Sequence, residues 1–345
     1  MTSAELLAAP PPPTAPAPVR STRERTSSWP LVDRIAYALC WAVGIGLCVI
    51  ALAIVAFMAV KGISYLKASM LTQSPQPSLL QKQSGGFRDP ILGSLLITAI
   101  GIVIAAPLGV AVATWLSEYR RPAWLARAAE SAIEIVAGTP SVVLALFGLL
   151  VFSQSFLGFL SQRAATGAVT GESFLTAGIV MSGIGLPLIV ASARETLAQQ
   201  PNQLREASYA LGRTKATTIR RVLLPASRRG IATGVVLGMG RIIGDTAIIT
   251  IVLGGAGGKL EPAGHTPILS LLRGVGSTLT SYVYYQSPAG DGNSHEKAYA
   301  AAFVLLLMVL ALNALATRLA RGSAADGGDR RRRPALRRPL LRWSR

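Results

Sequence analysis

Two charged residues, Arg241 and Asp245, interrupt an apolar stretch that runs from Gly230 to about Gly254. An ionisable side chain is costly inside a hydrocarbon layer and marks either a polar path or a mutual ion pair. A guanidinium is always charged, and its planar fork of donors matches a tetrahedral oxyanion such as phosphate. On a continuous helix, a carboxylate four residues further on shares the same face, where it pairs with the arginine or accepts a hydrogen bond from a protonated anion. Arg241 and Asp245 are therefore the candidates for an anion path.

Few other residues could do chemistry. Cys40 and Cys48 would lie about 12 Å apart along one helix, which is too far for a disulfide. His265 and His295 lack the close spacing of a metal pair. No stretch resembles a Walker loop or a nucleophile with its base. We expect no enzyme activity, cofactor or metal site in this chain, so any ATP and Mg would be bound by another chain.

The elements that carry these residues are predicted to be membrane spans. Of the 345 residues, 51% are hydrophobic and only 14% are charged, which is too little polar surface to cover a soluble fold. A span needs about 20 apolar residues, and five uncharged runs are long enough: 35–60, 91–116, 135–162, 173–193 and 298–317. With the interrupted stretch at 230–254, the sequence predicts an all-α polytopic membrane protein with six transmembrane helices.

The net charge of +18 is distributed unevenly about these six spans. If both termini are cytoplasmic, 25 of the 34 lysine and arginine residues fall on the cytoplasmic side, 8 fall outside and Arg241 lies in a span. The positive-inside rule favours this orientation over its inverse. The arginine cluster at 330–345 is typical of an anchor at anionic lipid headgroups. The charge therefore indicates a lipid membrane as partner and no nucleic acid.

The composition also suggests domain boundaries. Residues 1–34 are predicted to form a disordered, Pro-rich cytoplasmic tail, and residues 319–345 a basic cytoplasmic tail. The first apolar run, 35–60, is too long for a cleaved signal peptide and is expected to remain as a transmembrane helix. The core would then occupy residues 91–318.

The segment from Arg194 to Arg229, called the coupling loop below, is too polar to insert and too patterned for a plain linker. Pro201 and Asn202 open a predicted helix with an apolar stripe on one face. Gly212 is expected to end that helix, and a second helix is predicted from about Thr214 into Pro225. Two short helices hinged at a glycine would give a partner a rigid surface to bind.

The spacing in this loop resembles the EAA motif of ABC importer permeases. That motif reads Glu-Ala-Ala, three residues, Gly, nine residues, and then Ile-x-Leu-Pro. This chain departs from it only at Ser208 and Val222. The resemblance implies a coupling helix that docks on a cytoplasmic ATPase, with a purely structural interfacial helix as the alternative. The residues implied in that contact are Glu206, Ala207, Ser208, Gly212, Leu224 and Pro225.

Three further stretches narrow the resemblance to the phosphate ABC importer permeases, in particular the PstA type: GTPSVVLALFGLLVF, LPLIVASARETLAQQPNQLREASYALG and GMGRIIGDTAI. The resemblance implies a type I ABC importer permease core over 91–318. Its relatives usually have Glu at the position of Asp245, which carries the same charge on a shorter side chain. By resemblance, the partners are a homologous permease chain, two cytoplasmic ABC ATPase subunits with ATP and Mg, and an external phosphate-binding protein.

The resemblance thus implies half of the translocation path of an ATP-driven phosphate importer in the bacterial inner membrane. Within the same class, the alternatives are a permease for sulfate or molybdate, or the companion phosphate permease. From another class, the alternative is a non-conducting membrane anchor or phosphate-signalling subunit. An anchor has no need of charges inside a span, so Arg241 and Asp245 favour transport.

Overall fold

The structure is a computed structural model that describes residues 30–75, 85–160, 172–253, 267–287 and 295–329. Helices make up nearly all of the regular structure in these ranges, which confirms the predicted all-α class. Contacts divide the chain into two compact units, residues 1–56 and residues 57–345, which are described separately.

The described part of the first unit is formed by helix α1 (Leu31–Tyr65), whose last turns belong to the second unit. The helix has apolar residues on every side, and nearly all of its side chains up to Ala56 are exposed. A helix that is hydrophobic all round and this long is suited to span a membrane. Cys40 and Cys48 are both free, as their spacing predicts.

The second unit continues with helices that follow one another closely along the chain. They are α2 (Ala68–Thr72), α3 (Arg88–Thr114), α4 (Ala123–Gly138), α5 (Ser141–Phe152), α6 (Phe174–Ala198), α7 (Asn202–Ala210), α8 (Lys215–Thr218), α9 (Leu224–Gly244), α10 (Ala247–Val252), α11 (Pro267–Arg273), α12 (Leu279–Gln286) and α13 (His295–Asp329). A π-helical turn, Trp115–Tyr119, extends α3, and a second one, Ile219–Leu223, joins α8 to α9. A short 3-10 helix, Ser155–Leu160, follows α5.

Helices α3, α6 and α9 pack against one another at the centre of the second unit. Three glycines, Gly230, Gly234 and Gly238, lie one turn apart on the face of α9 that meets α6. A Cβ atom at Gly230 would lie 1.9 Å from Thr196 Oγ1, and one at Gly234 would lie 2.7 Å from Ser192 Cβ. The Ser192 hydroxyl donates a hydrogen bond to the Gly230 carbonyl over 2.9 Å. Small residues allow this close approach, as is usual where membrane helices cross.

Five of the predicted spans have counterparts among the long apolar helices of the described residues. Four single helices are long and apolar enough to cross a membrane: α1, α3 with its π-helical turn, α6 and α13. Helices α4 and α5 meet the same criterion only as a bent pair. The stretch predicted as the sixth span, 230–254, contains α9 and α10 and is interrupted between them. The architecture is consistent with the predicted six-span bundle.

The stretch 135–162, predicted as a membrane-spanning run, is not a single continuous helix. Helix α4 ends at Gly138, Thr139 is extended, and Pro140 precedes α5. A residue before proline is driven out of the α region, and glycine is a poor helix former, so the chain bends here by 109°. Pro107 and Pro187, by contrast, lie inside the continuous helices α3 and α6.

Different segments of the chain contact the two ends of α3. At one end, Arg205 contacts Glu118 at 2.6 Å, which joins two segments predicted to be cytoplasmic. At the other end, the Leu279 amide donates to the Ser94 hydroxyl over 2.8 Å, which joins a predicted external segment to the start of α3. Which end faces the cytoplasm stays a prediction.

Several sequence predictions lie outside the described residues. These are the disorder of residues 1–29, the arginine cluster at 330–345, and the surroundings of His265. Helix α13 continues to Asp329, beyond the predicted end of the core at residue 318. The assignment of the tails and the domain boundaries stay predictions.

The substitution Gly230→Ala should lower the thermal stability of the purified protein. The added methyl group would meet Thr196 at 1.9 Å, and overpacking of this kind costs about 1–3 kcal/mol. Gly183→Ala is the matched control, because its methyl group would have no atom within 4 Å and alanine favours a helix by about 1 kcal/mol. Thermal midpoints in detergent, followed by size-exclusion chromatography, compare the two. Equal midpoints would contradict the close contact of α9 with α6.

Candidate coupling loop and substrate path

The first helix of the coupling loop, α7, ends as the sequence predicts, at Gly212. This glycine has a φ of 73°, a left-handed conformation that glycine adopts without steric cost. The Gly212 amide donates to the Tyr209 carbonyl over 2.8 Å, and the Arg213 amide to the Ser208 carbonyl over 3.2 Å. Both hydrogen bonds together form a Schellman motif, which satisfies carbonyls at the end of the helix.

The second helix of the loop also begins where the sequence predicts. The Thr214 hydroxyl accepts a hydrogen bond from the Thr217 amide at the start of α8. From there the helix runs without a break through the π-helical turn into α9, with Pro225 in the first turn of α9. Pro225 lacks an amide hydrogen for a helical bond, and the wider π-helical turn before it accommodates the proline ring within the continuous helix. The coupling loop is therefore a direct extension of α9.

Three of the six residues that the sequence assigns to the ATPase contact are exposed on α7 or just after it. Leu211 is 78% exposed, and Leu204, Glu206, Ala207 and Gly212 are exposed as well. Pro225 is exposed at the start of α9, whereas Leu224 is half-buried. An apolar face that the rest of the chain does not cover is suited to a partner surface.

Ser208 is the exception, because it is 5% exposed and faces the inside of the loop. Its hydroxyl lies 2.8 Å from the hydroxyl of Thr218 on α8. Thr218 in turn donates to the Thr214 carbonyl over 3.1 Å. The serine that departs from the EAA pattern therefore joins α7 to α8 and does not contribute to the exposed face.

Sequence reasoning missed the residues that hold this loop against the bundle. Glu118 and Arg205 form an ion pair at 2.6 Å, and Arg194 pairs with Glu130 at 2.7 Å. Glu130 also accepts a hydrogen bond from Arg120 over 3.3 Å. The sequence did offer one signal for these pairs: the coupling loop and the segment after α3 carry charges of opposite sign, and both were assigned to the same side of the membrane.

A cleft of about 380 Å³ lies between the end of α3, the end of α6 and the coupling loop. Three arginines line it, namely Arg120, Arg194 and Arg205. Each of them already faces a carboxylate, either Glu118 or Glu130. The positive charge of the three arginines is therefore compensated by carboxylates beside the cleft, and Arg205 also attaches the loop to the end of α3.

The predicted substrate-path residues do not share a continuous helix. Helix α9 ends at Gly244, and Asp245 is extended, with φ −82° and ψ 126°. The Asp245 carboxylate accepts a hydrogen bond from the Ile248 amide over 3.1 Å, which caps α10. The predicted placement of Arg241 and Asp245 one turn apart on a single helix is wrong. Glycine ends α9, and an aspartate can replace the missing backbone partner, so the chain breaks here.

Arg241 and Asp245 also lie in different surroundings. The Arg241 side chain is exposed in the last turn of α9, whereas Asp245 is 5% exposed beside the apolar core. Among the ion pairs of the described ranges, none joins the two residues. The intrahelical ion pair is therefore not formed, and the exposed guanidinium is left to meet an anion or a neighbouring chain.

Candidate metal ligands do not gather in the part of the chain that the structure describes. No group of three or more His, Cys, Asp and Glu side chains lies close enough to hold an ion there. His295 lies at the start of α13.

Long apolar helices around a close-packed centre, with a partly uncovered helical loop at one end, define a membrane transport permease. Residues 105–324 match the family described as binding-protein-dependent transport system inner membrane component. The chain belongs to this family, whose members are permease components and not enzymes.

Curated relatives extend this assignment. The chain is 40% identical over 164 residues to the probable ABC transporter permease protein YqgH of Bacillus subtilis, over 48% of this chain and 51% of that protein. It is 31% identical to the phosphate transport system permease protein PstC of Xylella fastidiosa, over 65% and 69% of the two chains. It is 30% identical to the phosphate transport system permease protein PstA 1 of Mycobacterium tuberculosis, over 70% and 72%. The match thus spans about half of the first relative.

These relatives confirm the predicted resemblance to phosphate-type ABC permeases, while the choice between the PstA and PstC types stays a prediction. A solved bacterial alginate ABC transporter, in complex with an alginate pentasaccharide-bound periplasmic protein, contains a similar chain. The TM-score is 0.55 at 16% identity, over 84% of this chain and 94% of that chain. At this identity the likeness shows the shared fold alone.

Asp245→Ala should lower the stability of the folded protein by about 1 kcal/mol through loss of the cap at the start of α10, whereas Asp245→Asn should leave the stability nearly unchanged. Asparagine caps a helix about as well as aspartate, and alanine leaves the Ile248 amide without its acceptor. Thermal midpoints of the two purified variants test this. A loss that is as large for Asn as for Ala would show that the charge, and not the cap, holds the break.

Proposed function

We propose that this chain is a permease subunit of an ATP-driven phosphate importer and forms half of its translocation path. The observation that carries the proposal is the coupling loop. Its helix α7 presents an exposed apolar face with Glu206 and Ala207, while Ser208 and Arg205 fix its inner side. A rigid, partly uncovered surface at the end of a transmembrane bundle suits docking to a moving partner.

In this proposal, the partner at the loop is a cytoplasmic ABC ATPase that binds ATP and Mg. Two such ATPases, a homologous permease chain and an external phosphate-binding protein complete the importer. Closure of the ATPases displaces the coupling loop, and α9 moves with it because α8, the π-helical turn and α9 are continuous. Arg241 lies in the last turn of α9 and Asp245 directly follows its end, so movement of the loop reaches the proposed path directly.

Arg241 is the residue proposed to meet the anion. Its side chain is exposed on a helix within the span 230–254, and Asp245 does not neutralise it. A guanidinium offers a fork of donors to phosphate, and a path must release its ion as well as bind it. Asp245 acts on the anion indirectly in this arrangement, since it holds the chain break that follows Arg241.

The choice of phosphate as substrate and the orientation in the membrane are supported by the relatives and by the charge distribution. Two of the relatives above carry names that assign them to phosphate transport, whereas a permease for sulfate or molybdate would share the same fold. The distribution of positive charge favours both termini in the cytoplasm, and the family description supports an inner membrane. A non-conducting anchor or phosphate-signalling subunit is disfavoured by the exposed arginine within a span.

Arg241→Lys should insert and assemble normally but lower phosphate uptake by about tenfold or more, because an ammonium lacks the planar fork of donors. The measurement is uptake of radiolabelled phosphate by cells at limiting phosphate, with sulfate and molybdate as competitors. Strains with the intact chain, without it, or with the variant are compared. Arg229→Lys, on the same helix, is the matched control and should support normal uptake.

Each result of the uptake assay decides a separate point. Normal uptake in the Arg241→Lys strain would remove Arg241 from the path. Phosphate uptake that survives deletion of the chain, together with loss of sulfate or molybdate uptake, would show that the substrate is another oxyanion. If neither sulfate nor molybdate inhibits phosphate uptake by the intact strain, the result supports phosphate as the substrate.

Leu211→Asp should weaken binding of the ATPase to the permease without changing the stability of the permease itself. Leu211 is 78% exposed, so a charge there disturbs a docking surface and no packing within the chain. Ala216→Asp adds the same charge on α8 and serves as the control. Copurification of the ATPase with tagged permease measures binding. Equal recovery with Leu211→Asp and the intact chain would place the docking surface elsewhere.

A further inference from the structure

Arg205 of α7 joins the coupling loop to the end of α3. Its Nη2 lies 2.6 Å and its Nε 3.2 Å from Oε1 of Glu118, which belongs to the π-helical turn after α3. Glu118 is only 6% exposed and Arg205 only 19% exposed. An ion pair with so little exposure is weakly screened by salt and holds its two partners in one geometry.

All five donors of the Arg205 guanidinium find acceptors. Besides the two hydrogen bonds to Glu118, Nη1 donates to the Gln200 carbonyl over 3.1 Å and to Asn202 Oδ1 over 3.2 Å. The second Nη2 hydrogen donates to the Leu197 carbonyl over 3.3 Å. One side chain therefore ties together the end of α6, the start of α7 and the end of α3. A lysine has three donors on one atom and could not do this.

Lys215 of α8 makes a second connection to the same turn. Its Nζ donates to the backbone carbonyl of Glu118 and lies 4.8 Å from the centre of the Tyr119 ring, in a cation–π contact. Both helices of the coupling loop are therefore attached to the last turn of α3, one through an ion pair and one through a backbone hydrogen bond.

The turn that holds Glu118 is continuous with a helix that crosses the whole second unit. Helix α3 packs along α6 and α9, and near its start Ser94 accepts a hydrogen bond from Leu279 at the opposite end. The coupling loop is covalently joined only to α6 and α9. Its connection to α3 depends on side chains: Glu118 and Arg205 form the ion pair, and Lys215 donates the hydrogen bond to the backbone.

We propose that Glu118 and Arg205 are positioning residues that make α3 follow the coupling loop when the ATPase moves it. This inference rests on the proposed function. With the pair intact, α3, α6 and α9 move as one body, so the work of ATP hydrolysis reaches all three helices. Without it, α7 turns against α3, and ATP hydrolysis is no longer tied to transport.

The test uses the complete importer, reconstituted in liposomes with its permease partner, ATPases and loaded binding protein. Glu118→Gln removes the charge and keeps the size of the side chain, and Arg205→Lys keeps the charge but not the five donors. Both variants should hydrolyse ATP within about twofold of the intact importer. Phosphate transported per ATP should fall by about tenfold in Glu118→Gln and by less in Arg205→Lys.

The matched control is Arg120→Gln, at the same end of the bundle. Arg120 is 63% exposed, and its partner Glu130 keeps Arg194 when Arg120 is changed, so transport per ATP should stay unchanged. Unchanged transport per ATP in Glu118→Gln would overturn the proposal. If Glu118→Gln does not assemble, Arg205→Lys decides, and full coupling in that variant overturns the proposal as well.

A second readout separates this inference from the choice of substrate. Leu108 lies in α3 and is 50% exposed, so a cysteine there, with Cys40 and Cys48 changed to Ser, reports movement of α3 through its labelling rate. Trapping the ATPases with ATP and vanadate should change the labelling rate by about tenfold in the importer with the intact ion pair. The same treatment should leave the rate unchanged in the Glu118→Gln importer. If the intact importer does not take up phosphate, only the choice of phosphate as substrate is contradicted. If the labelling rate changes equally in the intact importer and in Glu118→Gln, the role of the ion pair is contradicted.

Discussion

The close contact of α9 with α6 is the constraint on which the rest of the second unit depends. Gly230, Gly234 and Gly238 leave room along the face of α9 that meets α6, so the two helices pack closely there. In a lipid environment the hydrophobic effect does not hold helices together, so contact area and interhelical hydrogen bonds must. The bond from Ser192 to the Gly230 carbonyl belongs to this interface. The same helix begins in the coupling loop and ends at Arg241, so its position fixes both sites at once.

The break after α9 shows how an interrupted helix is tolerated among apolar side chains. Backbone groups that lose their helical partners inside a membrane protein must find others. Here the Asp245 carboxylate takes the Ile248 amide, and α10 starts at once. The cap uses the charge that would otherwise neutralise Arg241. One side chain therefore allows the helix to stop and also leaves the arginine without an intrahelical partner.

Local sequence signals predicted the features that depend on neighbouring residues. Gly212 ends α7 because a left-handed residue is needed there, and the threonine at 214 starts the next helix. The same local reasoning failed at Asp245, since a charge four residues after an arginine suggests a pair as readily as a cap. It also failed between Glu118 and Arg205, 87 residues apart, because only the packing of α3 beside the coupling loop brings them together.

The two faces of α7 have different roles: the inner face attaches the coupling loop to the bundle, and the outer face is uncovered. Ser208 and Arg205 face inward, where a hydroxyl pair and five donated hydrogen bonds leave the helix little freedom to move by itself. Leu204 and Leu211 face outward and are uncovered. A coupling loop that bound its partner equally well but was loosely attached to the helices behind it would bend when the partner moved, and those helices would not move with it. Because the inner face is fixed by directional bonds, a displacement of the outer face must be passed on to the helices behind it.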